Sequence, residues 1–102
     1  MARTPEAIEK AKVRKFLNSL SVWHIWPVPT GYGRNGLDCY ACVNSWFCAI
    51  EVKAPGKKPT ERQQAEIKLI HRAGGFALAG TGDEIIHALK CGPLYHVLLP
   101  RK

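Results

Sequence analysis

The chain has 102 residues, 46% of them hydrophobic, which is enough for one modest core and a single domain spanning residues 1–102. Fifteen Lys and Arg against eight Asp and Glu give a formal charge of +7, which favours an anionic partner, nucleic acid first among them. No apolar run is long enough to cross a bilayer, and the charged opening MARTPEAIEKAKVRK lacks the apolar stretch of a secretory leader, so a cytoplasmic protein is expected.

Residues 5–20 are predicted to form the first helix, with Thr4 as its cap and Pro5 in its first turn. Val13, Phe16, Leu17 and Leu20 make its apolar stripe. Continued backwards at about 100° per residue, the stripe takes in Glu6 and Glu9 rather than Ile8. Either acid can simply favour the helix dipole, or one of them can reach into a site. VWHIWPV, residues 22–28, reads as a strand that ends at Pro27 and Pro29.

The glycine-rich stretch GYGRNGLDCY follows. Gly31, Gly33 and Gly36 match the dinucleotide fingerprint, and Glu51 lies about where its ribose ligand would stand. That fingerprint needs a helix after the glycines to hold the pyrophosphate, whereas here a strand is predicted, residues 38–43. No nucleotide cofactor is therefore expected, and the glycines are read as serving the backbone around Asp38.

Asn44-Ser45 is predicted as a tight turn into a second strand, Trp46 to Lys53, completing a β-hairpin. APGKKP, residues 54–59, is a basic loop. Thr60 and Gln63 form a capping-box pattern opening a helix whose Ile67 and Ile70 share the face of Gln63, and Gly74-Gly75 ends it. A short strand at residues 76–79, a short helix at 83–90 and an extended end at 94–99 complete the chain. The fold class is α/β: a small mixed sheet flanked by helices, in the order α-β-β-β-α-β-α.

Cys39 and Cys42 form a C-x-x-C, but three residues apart on a strand puts them on opposite faces, which disfavours a shared zinc ion. With Cys48 and Cys91 they are read as reduced thiols. The four histidines have no ligand spacing, and Trp23, Trp26 and Trp46 are assigned to the core or an interface.

The chemistry concentrates in the hairpin. Alternation along FCAIEVK sends Glu51 and Lys53 to one face, with Val52 between them on the other. Antiparallel pairing through the Asn44-Ser45 turn brings Asp38 level with about Glu51. Two carboxylates side by side repel each other and suit a hard divalent cation, Mg²⁺ or Mn²⁺. A lysine beside them can stabilise a developing anion.

GLD at 36–38, twelve intervening residues and EVK at 51–53 resemble the PD-(D/E)XK nuclease superfamily. GYGRNGLD, FCAIEVKAPGKKPTERQ and the helix end HRAGG resemble more narrowly the VRR-NUC domains, in their compact stand-alone phage form, over residues 4–90. The resemblance implies a PD-(D/E)XK nuclease-like fold and metal-dependent hydrolysis of DNA phosphodiester bonds. It makes Asp38, Glu51 and the Val52 carbonyl metal ligands and assigns Lys53 to the attacking water or the transition state. It also brings in Gln63, which can equally be only a capping partner, and a first-helix acid, Glu6, with Glu9 as the alternative. It further implies a structure-specific endonuclease like the Holliday-junction resolvases, dimeric, working in the cytoplasm of a phage-infected or prophage-carrying bacterium.

The family usually has proline before the aspartate, where this chain has Leu37, which is expected to permit the approach to Asp38 without rigidifying it. Arg34, Lys57, Lys58 and Arg62 flank Lys53 and suit non-specific contact with a DNA backbone. Two competing readings remain: a catalytically silent DNA-binding module on the same fold, and a zinc-stabilised interaction domain.

Overall fold

The computed structural model of the chain describes residues 3–28 and 36–95. Its elements run α1 (Pro5–Ser19), β1 (His24–Ile25), β2 (Cys39–Val43), β3 (Trp46–Val52), α2 (Glu61–Arg72), β4 (Phe76–Gly80) and α3 (Gly82–Cys91). This is the expected α-β-β-β-α-β-α order. The strands form one mixed sheet in the order β1-β2-β3-β4, with β1, β2 and β3 antiparallel and β4 parallel to β3.

Local chemistry accounts for the helix ends. The Thr4 hydroxyl accepts the Ala7 N–H at 3.1 Å and opens α1. Complete capping boxes open α2, between Thr60 and Gln63, and α3, between Thr81 and Glu84. Gly74, at φ 100°, takes the left-handed turn that leads from α2 into β4. Asn44 and Ser45, at φ 48° and 71°, both turn left-handed and close the β2–β3 hairpin in the sense that matches strand twist.

Two apolar layers sandwich the sheet. On one face, Cys39, Ala41, Val43, Cys48, Ile50 and Val52 pack with Val13 and Leu17 of α1 and Ile85 and Leu89 of α3. On the other, Leu37, Ala49 and Ala77 pack with Tyr40 and with Ile67 and Ile70 of α2. This division follows the alternation of β3. It also separates Cys39, which is buried, from Cys42, which is exposed across the sheet, so the C-x-x-C pair does not converge on one ion.

The structure departs from expectation at two elements. The strand expected over residues 22–28 is only two residues long, because Pro27 has no N–H to continue the ladder. At the other end, Leu94 lies in a turn and Tyr95 is helical, and their N–H groups donate to the carbonyls of Leu89 and Gly92, so the extended segment expected from 94 does not begin there. Residues 96–99 of that segment lie outside the described residues. Trp23 and Trp46 are exposed at 59% and 44% rather than core. Trp26 is half-buried under the Arg14 guanidinium, with its indole N–H on His24.

No helix among the described residues is long and apolar enough to cross a membrane.

Candidate active site

The hairpin register pairs Cys39 with Ile50, and one further step places Asp38 opposite Glu51. By the alternation of β3, Glu51 shares the face of Ala49, which α2 covers. The Asp38 carboxylate bends over the end of β3, where its Oδ2 accepts the Val52 N–H at 2.8 Å. Glu51 is buried, and its Oε2 lies 3.4 Å from Lys53 Nζ, itself only 13% exposed at the side chain. The Lys53 N–H donates to the Gly80 carbonyl at 2.8 Å, tying the end of β3 to β4. In a trans peptide the Val52 carbonyl then points the opposite way, toward the Asp38 side. Two carboxylates and one backbone carbonyl thus meet at one sheet end.

The electrostatics follow from this crowding. Burial, with help from the Asp38 charge and a hydrogen bond to it, raises the Glu51 carboxyl from 4.5 to about 7, against the pull of Lys53. The protonated form of Glu51 is favoured as a result. A hard divalent ion relieves the same repulsion, so the donor set fits Mg²⁺ or Mn²⁺. Among the described residues, no group of three or more His, Cys, Asp or Glu side chains assembles, so such an ion would complete its shell with backbone oxygen, water or phosphate.

Lys10 was not anticipated. Its Nζ lies 3.4 Å from Asp38 Oδ1 and 3.4 Å from Glu6 Oε2. Partial burial lowers its pKa, but the Asp38 and Glu6 charges together outweigh that and hold it above the ordinary value. The signal was present in the sequence, since Lys10 is the i+4 partner of Glu6 on the same helix face.

The two candidate acids of α1 separate clearly. Glu6 meets the site through Lys10. Glu9 is buried, its Oε1 accepts the Gly82 N–H at 2.8 Å, and its Oε2 pairs with Lys12 at 3.3 Å. Glu9 therefore docks α1 on the N-terminus of α3, where the helix dipole favours an anion. Gln63 is engaged as a cap: its Oε1 accepts the Thr60 N–H at 2.9 Å and its own N–H donates to the Thr60 hydroxyl at 3.1 Å. Its Nε2 amide is the group it has left to offer.

The expectation for Leu37 needs correcting. Leu37 is buried against Ala49 and Ala77, and its N–H donates to the Tyr40 hydroxyl at 2.9 Å. Leucine therefore does hold the approach to Asp38, through packing and a hydrogen bond that proline lacks the N–H to make. Gly36 contributes because a Cβ there would run into the same Tyr40 hydroxyl. Lys57 and Lys58 lie exposed in the loop after β3, and Arg62 is exposed in the first turn of α2. Arg34, together with Gly31 and Gly33, lies outside the described residues. A strand follows Gly36 and Leu37, so the helix required by the dinucleotide fingerprint is not there.

Comparison with protein-family models, curated proteins and solved structures finds no match to the chain.

Proposed function

We propose that this protein is a divalent-metal-dependent DNA endonuclease of the PD-(D/E)XK kind, VRR-NUC-like, acting as a homodimer on branched DNA in the manner of a Holliday-junction resolvase. One observation carries the reading: Asp38 and the buried Glu51 meet at the sheet end that also presents Lys53 and the Val52 carbonyl. A carboxylate pair with one buried member costs stability, and a purely structural role does not call for one. The cytoplasm of a phage-infected or prophage-carrying bacterium would be its place of work.

In this reading Asp38, Glu51 and the Val52 carbonyl would hold Mg²⁺ or Mn²⁺, which would supply Lewis acidity toward a phosphoryl oxygen and acidity to a water. Asp38 is oriented by the Val52 N–H at one oxygen, and its other oxygen lies 3.4 Å from Lys10 Nζ. Lys53, short-tethered beside Glu51, stabilises charge developing on the phosphate or orients the attacking water. Exposed Lys57, Lys58 and Arg62, with Arg34, contact backbone phosphates without reading bases. A protomer of 102 residues offers little surface to grip a branched duplex, which favours a two-fold dimer with two sites for two strands.

The test is cleavage of labelled four-way junction, flap and linear duplex DNA with Mg²⁺ or Mn²⁺, by wild type and Lys53→Ala. Junction cutting that is lost in the variant and in EDTA is the expected result. Cutting of flaps or duplex alone keeps the nuclease and removes the resolvase. Binding of all three substrates with no cutting leaves a DNA-binding module in place of an enzyme.

A further inference from the structure

Both oxygens of Asp38 are engaged: Oδ2 by the Val52 N–H at 2.8 Å, and Oδ1 by Lys10 Nζ at 3.4 Å. A divalent ion placed between Asp38 and Glu51 therefore meets a carboxylate oxygen that an ammonium group already holds. Lys10 has a second anchor one helical turn back, where Glu6 Oε2 lies 3.4 Å away. Asp38 is 21% exposed at the side chain and Lys10 32%, so neither charge is fully screened by water.

We infer that Lys10 is the resident counter-cation of the Asp38–Glu51 pair and gives up Asp38 for Glu6 when a divalent ion enters. This rests on the metal-dependent reading above. The physical case is direct. A single positive charge beside a doubly charged ion in a half-buried site is repelled. The lysine stem is flexible and its ammonium is a compact point charge, so the head can leave Asp38 without moving the helix. Glu6 precedes Lys10 by four residues, the favourable order for a helical ion pair, and supplies a waiting partner.

The assignment changes the role of Glu6. Its carboxylate receives the displaced lysine and is not a metal ligand. Metal affinity becomes the result of a competition: Glu6 weakens the grip of Lys10 on Asp38, and Lys10 opposes the ion. With no ion bound, Lys10 compensates Asp38 while Lys53 compensates Glu51.

The experiment is titration with Mn²⁺ alone, with free ion followed by electron paramagnetic resonance, at constant pH and ionic strength. The proteins are wild type, Lys10→Met, Lys10→Arg, Glu6→Gln, the Lys10→Met/Glu6→Gln double variant and Asp38→Asn, each first shown by circular dichroism to be folded. Lys10→Met is expected to tighten binding about tenfold, while Lys10→Arg, which keeps the charge, stays within about twofold of wild type. Glu6→Gln is expected to weaken wild-type binding several-fold and to leave the Lys10→Met protein within about twofold.

Binding that is lost in Asp38→Asn but unchanged or weaker in Lys10→Met would keep the metal site and overturn the role of Lys10. Equal weakening by Glu6→Gln in both backgrounds would make Glu6 a ligand and overturn its role as acceptor. If neither wild type nor Lys10→Met binds Mn²⁺, the metal reading and this inference fall together.

Discussion

Glu51→Gln should make the metal-free protein more stable above neutral pH, at the residue proposed to be a metal ligand. In the folded chain the Glu51 carboxyl is raised from 4.5 to about 7 by burial and by Asp38. A folded-state pKa above the unfolded value means that the fold prefers the protonated group. The associated stability is fully present below about pH 4.5 and is lost as pH rises through about 7. At about 1.4 kcal/mol per tenfold change in proton affinity, the whole rise corresponds to on the order of 3 kcal/mol. Glutamine imitates the protonated acid, since its amide can donate to Asp38 and its oxygen can accept from Lys53. The variant does forgo the charge of the Glu51–Lys53 pair, which is 3.4 Å apart, so the net gain is about 1–2 kcal/mol.

The assay is thermal unfolding in EDTA, followed by circular dichroism, at pH 4.5 and pH 8.5. For a domain of this size the gain at pH 8.5 corresponds to about 5–12 °C in Tm, shrinking toward zero at pH 4.5. Added Mn²⁺ should then reverse the ranking at pH 8.5, because only wild type keeps both carboxylates to bind it. A Tm difference that is the same at both pH values, or a less stable variant at pH 8.5, would refute the reasoning.

Other outcomes follow from the core and the helix contacts. A thiol reagent should modify Cys42 and Cys91 rapidly, and Cys39 and Cys48 only after denaturant, because burial hides the latter two and raises each to about 12. Four fast thiols by absorbance would contradict the packing. Glu9→Ala removes a buried acceptor of the Gly82 N–H and should cost about 2–3 kcal/mol in urea unfolding, whereas Glu6→Ala should cost less than about 1 kcal/mol. Leu37→Pro should destabilise by about 2–3 kcal/mol in the same assay, since it loses the bond to Tyr40 and buried side-chain volume.

What the sequence made legible was short-range. The Asn44-Ser45 turn and the alternation of FCAIEVK determine the hairpin register, and with it the meeting of Asp38, Glu51 and Lys53. The Thr60–Gln63 capping box is equally local. The α1 acids were not separable by the same means. Projection at 100° per residue puts Glu6 and Glu9 near one face, but does not say which turn of the helix meets which element. Glu9 faces the N-terminus of α3, some seventy residues on, and Glu6 faces Lys10 and, beyond it, Asp38. Lys10 was missed for a related reason: a basic residue on a basic helix reads as solvated until the sheet places an acid beside it. Leu37 was underrated because its hydrogen-bond partner, Tyr40, belongs to a strand whose side-chain reach is not visible from spacing.

The short first strand bears on what meets Asp38. The register pairs His24 with Ala41 and Ile25 with Tyr40. Continued as expected through residue 28, it would have set Trp26 against Cys39 and Pro27 against Asp38. Pro27 carries no N–H, and a ladder cannot be extended through it. The pairing stops after Ile25, and among the described residues no strand lies along the outer side of Asp38. Lys10 of α1 lies 3.4 Å from Asp38 Oδ1. Pro27, which in the sequence looks like a break before the glycine-rich stretch, thus ends the pairing before it reaches Asp38.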